Sequence, residues 1–493
     1  MIKSNNLVTG NIWSALLKLS LPILGTSFIQ MGYNMVDMMW VGRIGSDAVA
    51  AVGTAGFFTW FGNSLVYISK VGAEIGVSQS IGREDLKGKN KFIYNSFLVN
   101  IVMAVTYTFF VIIFNKQLIG FFKLGDANII KLSQEYLIIV ALGLIFTFLN
   151  PLFTGIFNAS GSSKIPFLIN SAGLVLNIVF DPILIFGLGI FPKLGVAGAA
   201  IATVLAQGIV TVFFIISFIR NGHSLSLKNK RYINKAYIYK VCKYGTPTAL
   251  QNCLFTFFAM IIGRIIAQYG AVAIAVQKVG SQIEAISWMT AEGFSAALTV
   301  FIGQNYGAGK WSRILKGYKA TIFLSSMIGI FATLLFVFFG DIVFSMFIPE
   351  KEAMLKGADY LRILGYSQLF MCLEITTTGA FSGFGNTITP SWVGGVFTGL
   401  RIPAAILLTK YTSLGIDGVW WSISGSSVIK GILLIILFII MIIIPNKKSS
   451  LKLLTICKKN HRILINNIKN PLRRDSSYFV RLKRAEGGGI SVL

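Results

Sequence analysis

Residues 79–82 read Gln79-Ser80-Ile81-Gly82, and far down the chain residues 304–307 read Gln304-Asn305-Tyr306-Gly307. The same offset carries Ser20-Leu21-Pro22 onto Gly245-Thr246-Pro247. At almost the same offset Gly155-Ile156-Phe157, Gly161 and Pro166 return as Gly379-Ala380-Phe381, Gly385 and Pro390, and Leu194 to Gly198 returns as Leu414 to Gly418. The second half therefore repeats the first with only a few residues lost. Apolar stretches fill the intervals between these landmarks, and a duplicated apolar bundle is the usual architecture of a secondary transporter, with its sites near the bilayer midplane.

Composition points the same way. Of 493 residues, 54% are hydrophobic and 13% charged, about half the charged share of an ordinary soluble domain. Apolar runs near 14–40, 48–80, 92–114, 132–157, 165–189 and 195–219 form one set of six, and 245–268, 271–303, 320–340, 358–383, 388–409 and 416–445 a second. Each approaches the roughly 20 residues a helix needs to cross a bilayer, and a helix satisfies its own backbone in lipid. The predicted fold is an all-α integral membrane protein, with twelve transmembrane helices in two pseudo-twofold-related six-helix lobes around a central cavity. The lobes are predicted over 1–219 and 244–445, joined by a hydrophilic linker at 220–243 and followed by a basic tail at 446–493.

Six spans per lobe make the repeat parallel, so both lobes start on one side. Thirty Lys and Arg residues fall on the terminal and even-numbered segments and eight on the odd-numbered loops. The positive-inside rule then predicts cytoplasmic termini in the plasma membrane. Most of the formal charge of +26 is accounted for by topology, so no nucleic-acid partner is implied. The expected partners are membrane lipid and small drug-like molecules, for a chain acting as a monomer. The tail reads as a solvated segment or a lipid-surface helix. Cys242, Cys253, Cys372 and Cys457 have no metal-like spacing, and the polar opening Met1 to Gly10 gives no cleavable signal.

Ionisable residues inside spans are costly and mark function by default. Gln30, Tyr33, Asn34 and Asp37 recur at i, i+3, i+4 and i+7 on the first span, a polar stripe that requires an interior cavity. In the fifth span Asn170, Asn177 and Asp181 share a face, and Pro182 loosens the turn beside the carboxylate. Asn158 and Thr203 offer further oxygens. Such a set suits Na⁺ at Asp37, Asn177 and Asp181, or a proton shared by two desolvated carboxyl groups. Through the repeat, Asp37 maps onto Ile262, Asn177 onto Arg401, and Asp181 into Arg401 to Ala405, where no acid stands. The constellation belongs to the amino-terminal lobe alone.

The carboxy-terminal lobe has acids of its own. Gln277, Ser281, Glu284, Trp288 and Glu292 trace one face of the eighth span, and Glu374 shares a face with Thr378 and Ser382 in the tenth. Beside aromatic and methionine side chains these acids would attract an organic cation, unless Lys278, Arg264, Arg362 or Arg401 neutralises them. Glu74, with Lys70 one helical turn before it, reads as a local pair.

Leu21-Pro22 followed by Asn34-Met35-Val36-Asp37, then Gln79 to Gly82, Gly155 to Gly161, Asn177 to Pro182 and Gly303 to Gly307 are weak signals singly. In this order and duplicated, they resemble the multidrug and toxic compound extrusion family over roughly residues 1–445. The resemblance implies two six-helix lobes that work by alternating access, exchanging toxic, often cationic, compounds for Na⁺ or H⁺ without a cofactor. It implies that Asp37, Asn177 and Asp181, with Asn158 and Thr203, bind the coupling ion, and that Glu374 stands for the acid of helix ten. Some relatives place an acid in helix seven; Gln251 to Phe258 holds none. Two other readings compete. A lipid-linked sugar flippase of the same wider superfamily calls for a more basic cavity. A membrane-embedded enzyme would have only His223 and His461 to work with, and no HExxH, nucleophile elbow or phosphate loop.

Overall fold

The structure, a computed structural model, describes residues 7–189, 191–221, 232–348 and 350–446. Nearly all of the predicted tail, with His461 and Cys457, and residues 222–231 of the predicted linker, with His223, lie outside them. Among the described residues the chain is helical and contains no strand. In the first lobe run α1 (Ile12–Gly42), α2 (Ser46–Gly82), α3 (Leu86–Ile113), the short α4 (Asn115–Gly120), α5 (Ala127–Leu142), α6 (Leu144–Ala159), α7 (Lys164–Phe186) and α8 (Gly195–Arg220). In the second run α9 (Lys235–Ala267), α10 (Ala271–Gly307), α11 (Trp311–Ser345), α12 (Lys351–Gly365), α13 (Gln368–Gly383), α14 (Ile388–Gly399), α15 (Arg401–Tyr411) and α16 (Asp417–Phe438).

Among the described residues ten helical segments are long and apolar enough to cross a membrane, one of them α14 and α15 together, and α5 with α6 makes an eleventh, bent by 49°. The bend falls at Gly143, where a Cβ would stand 2.5 Å from Val204 of α8. The pair α12 and α13 repeats that broken span in the second lobe and completes the twelve. Its outer half, with Lys351, Glu352, Lys356, Asp359 and Arg362, is too polar to read as an apolar run. Lipid rather than protein covers much of the bundle: α11 has a mean hydropathy of 2.5 over its best window, yet only 22% of that window is buried. The turns repeat as well. Gly195 and its repeat partner Gly415 both have φ +54°, a left-handed conformation that favours glycine.

The linker is shorter than expected, because α9 begins at Lys235 and converts Lys235 to Lys243 into helix. Asn234 caps it by accepting a hydrogen bond from the Ala236 amide at 2.9 Å. Residues 1–435 form one compact unit and 436–493 another; the described part of the second consists of the end of α16, a π-helical turn at Ile439–Ile443 and the residues to 446.

The two lobes pack into a single body at one end. Gly82 lies so close to the Gln304 carbonyl that an added Cβ would overlap it, and Gly307 approaches the Gln79 carbonyl in the same way. The Gln79 amide donates to the Gly383 carbonyl at 3.0 Å, and its repeat partner Gln304 donates to the Ala159 carbonyl at 2.8 Å. The opening motif of the sequence is thus a reciprocal clasp between lobes. The other close glycine approaches across the lobes, Gly72 to Val241, Gly245 to Ile68, Gly293 to Leu24 and Gly303 to Ser78, all lie in the halves of α1, α2, α9 and α10 nearest the lysine- and arginine-rich end. Toward the opposite end α1, α2 and α9 carry exposed side chains such as Met35, Met39, Trp60 and Phe257.

Candidate functional site

Inside the first lobe, at the level where α1 has left the second lobe, α1 and α7 bring Asp37 and Asp181 together. The two carboxyl groups face each other within hydrogen-bonding reach. Asn177, one turn before Asp181, donates to its Oδ1 at 3.1 Å and also reaches Asp37. Thr203 of α8 points its hydroxyl at Asp37 Oδ2 from 3.5 Å while donating to the Ala199 carbonyl at 3.0 Å. Asn177 and Asp181 are completely shielded from solvent. The spacing of four along α7 produces this convergence, since residues i and i+4 share a helix face.

The polar stripe predicted on α1 divides in two. Tyr33 and Asp37 turn into the lobe, where Tyr33 faces Asp37, Asp181 and Gln207; Gln30 and Asn34 remain exposed. The acid pair therefore occupies a pocket within the first lobe rather than the cleft between lobes. Four residues that sequence reading passed over, Tyr136, Asn150, Gln207 and Thr211, join it. Tyr136 of α5 stands within electrostatic reach of both acids. Asn150 of α6 donates to the Gln207 Oε1 at 2.7 Å and accepts from Thr211 at 2.8 Å. Asn158 is not among them. It sits two helical turns along α6 from Asn150, about 12 Å of helical rise, at the end where Gln304 binds the neighbouring Ala159 carbonyl. Asn150 shares a helix face with Thr147, Thr154 and Asn158, a signal that sequence could have offered, but only the packing of α6 against α8 picks it out as the partner of Gln207 and Thr211.

Four buried oxygens in this pocket, Tyr33 OH, Asp37 Oδ1, Asn177 Oδ1 and Asp181 Oδ2, have no hydrogen-bond partner. Buried polar atoms are rarely left so, and four orphaned oxygens around two facing carboxylates form a donor set suited to a small hard cation or a shared proton.

The second lobe answers differently. Glu374 accepts a hydrogen-bonded ion pair from Lys430 of α16 at 2.9 Å, and both side chains are 10% exposed or less. Lys430 is the direct counter-ion here, and of the four basic residues that sequence suggested only Arg401 joins it. Lys278 and Arg264 are exposed, and Arg362 pairs with Asp359 at 3.2 Å. Arg401 donates to Ser426 and Ser427 at 2.5 and 3.1 Å and lies within reach of Glu374, Glu284 and Tyr360. Gln277 bridges Trp420 and Tyr360 at 3.1 and 3.4 Å. Ser281 turns back onto the Lys278 carbonyl at 2.9 Å, and Trp288 is half-buried. Glu292 stands apart from this network. It is exposed, and it reaches across to Lys70 of the first lobe, which is also within reach of Glu74 and lies 5.3 Å from the Tyr67 ring centre. The local pair expected between Lys70 and Glu74 is not formed: Lys70 is in electrostatic reach of both acids, and Glu74 Oε1 is buried without a hydrogen-bond partner.

The chain matches the MatE family over residues 22–183 and 247–407, one stretch in each lobe. It is 26% identical over 426 residues to the "Probable multidrug resistance protein NorM" of Thermotoga maritima, covering 85% of this chain and 90% of that protein. It is 24% identical to the "Multidrug export protein MepA" of Staphylococcus aureus strain MW2, covering 84% and 90%, and 24% identical to the "FAD transporter" of Shewanella oneidensis, covering 73% and 80%. A solved structure described as the outward-facing conformation of a multidrug resistance MATE family transporter superposes with a TM-score of 0.80 at 22% identity, over 87% of this chain and 96% of that one. Another, of MATE in the bent conformation, gives 0.81 at 24% identity over 91% and 100%. With both lobes matched and the duplicated twelve-helix fold in place, this chain belongs to the MatE family of multidrug and toxic compound extrusion transporters.

Proposed function

We propose that the protein is a cation-coupled antiporter that exports amphipathic organic cations across the plasma membrane by alternating access, in exchange for H⁺ or Na⁺. The observation that carries this reading is the facing pair Asp37 and Asp181 with its four orphaned oxygens. A cation or proton bound there removes the repulsion between two buried carboxylates and lets α1 and α7 close on each other. Substrate in the cleft favours the other arrangement. Two ligands that each prefer a different state of one bistable body are coupled by that preference. With both termini in the cytoplasm, the clasped end is cytoplasmic and the cleft opens outward. Glu292, exposed on α10 with Trp288 and Met289 one turn before it, supports a cationic, ring-bearing substrate. The chain works without a cofactor and needs no second copy.

The test is efflux of a fluorescent organic cation from proteoliposomes under an imposed sodium gradient alone and then a proton gradient alone. One of the two gradients should drive export, and Asp37→Asn should remove the dependence. Export at the same rate with neither gradient would overturn the antiport reading.

A further inference from the structure

The repeat places the pockets of the two lobes in register. The offset that carries Gly155 onto Gly379 turns Tyr136 into Tyr360, Asn150 into Glu374 and Asn177 into Arg401; the offset that carries Leu194 onto Leu414 turns Gln207 into Ser427. The interactions are alike in layout and differ in charge balance. In the first lobe the α6 residue Asn150 binds Gln207 of α8. In the second, Glu374 of α13 binds Lys430 of α16, and Arg401 binds Ser426 and Ser427 of the same helix. The first pocket holds two acids, Asp37 and Asp181, and no base among the described groups in reach of them. The second holds two acids, Glu374 and Glu284, against two bases, Lys430 and Arg401.

We propose that Lys430 and Arg401 are tethered counter-ions, filling in the second lobe the place that a mobile cation takes in the first, and so limiting the protein to one ion site. A buried carboxylate in a membrane requires a positive partner. Where the partner is covalently attached, it is neither exchanged nor released, and the pocket gives no response to an ion gradient. Where the partner is mobile, occupancy follows the gradient. Lys430 stands at the position of Val210 in the first lobe and Arg401 at that of Asn177, so both bases stand where the first lobe has an uncharged residue. The titratable groups facing Glu374 are Lys430 from α16 and Arg401 from α15; Glu284 from α10 and Tyr360 from α12 face it through Arg401, and Tyr318 from α11 binds Thr377 on the same helix at 3.2 Å.

The inference rests on the coupling site assigned above only for its count of one, and the experiment separates the two. Binding of radioactive sodium, and proton uptake in unbuffered solution, are measured per mole of the purified full chain in detergent. Lys430→Gln is expected to raise the bound cations, summed over H⁺ and Na⁺, from one to two per chain. Lys430→Gln with Glu374→Gln returns the count to one, and Lys430→Arg leaves it at one. Arg401→Gln provides a second route to the same gain if Lys430→Gln is recovered poorly. Asp37→Asn lowers the count by one in each background; if it changes nothing, the first-lobe assignment fails while the comparison at Lys430 still stands. A folded Lys430→Gln or Arg401→Gln protein with the wild-type count overturns the proposal, as does a wild-type count of two that Glu374→Gln reduces.

Discussion

The two lobes are copies of one six-helix design, and they differ most where they are most buried. At the clasp the copies remain equivalent: Gln79 and Gln304 each donate to a carbonyl of the opposite lobe, at 3.0 and 2.8 Å. In the pockets they have diverged, with facing carboxylates and orphaned oxygens on one side and a closed ion pair of 2.9 Å on the other. At Gly82 and Gly307 the packing against a carbonyl of the opposite lobe leaves no room for a Cβ, and both copies of this glycine persist. A pocket inside one lobe touches only its own lobe, so its chemistry is free to change. Shared architecture thus resides at the interface, and specialised chemistry within the lobes.

That contrast is broken most decisively by exchanging roles. Asp181→Asn should reduce ion-driven export to background, a loss of 100-fold or more, with an unchanged melting temperature in detergent. Glu374→Gln with Lys430→Gln should keep at least half of wild-type export in the same assay. Equal loss in both variants would mean that the pockets are not specialised. Removing the ammonium alone by Lys430→Met should cost about 3–5 kcal/mol of stability, because it strips the buried Glu374 of its hydrogen-bonded counter-ion, and the double replacement should recover most of that. Thermal unfolding followed by thiol labelling of the buried Cys372 reads this out.

The clasp yields smaller, matched effects. Gly82→Val and Gly307→Val should each cost about 1–3 kcal/mol by overpacking against a carbonyl and prise the lobes apart at the basic end. A cysteine introduced at the buried Ser78 would then become accessible to a thiol reagent from that side. Gln79→Leu and Gln304→Leu should each cost about 1–3 kcal/mol for a buried carbonyl left unsatisfied, and the two values should agree closely. A marked inequality would show that the clasp has diverged as the pockets have. Smallest of all, Lys356→Ala removes an exposed pair with Glu352 at 2.8 Å and should change stability by less than about 0.5 kcal/mol.

Much of this was legible before any coordinates. The repeat, the twelve spans and the polar faces that carry Asp37 on one helix and Asn177 with Asp181 on another follow from order and periodicity, because a membrane span admits few polar residues and a helix face fixes which of them align. The two misplacements have physical causes. Asn158 was grouped with the acids because residue type says nothing about depth, and two turns of helix separate it from Asn150. Lys430 was overlooked because its neighbours on the helix face, Ser426 and Ser427 in the span Asp417–Phe438, are serines that a helix can satisfy on its own carbonyls, so they announce no charge.

What the sequence determined by itself was therefore the count and class of elements and which helix face carries charge, since both depend on local spacing and on the cost of polar groups in lipid. What only the tertiary structure decided was partnership. That Asp37 and Asp181 face each other without a base, while Glu374 is held by Lys430, depends on how α1 meets α7 and α13 meets α16. Each pair joins side chains from helices well separated along the chain, and such side chains become neighbours only when the lobes have packed.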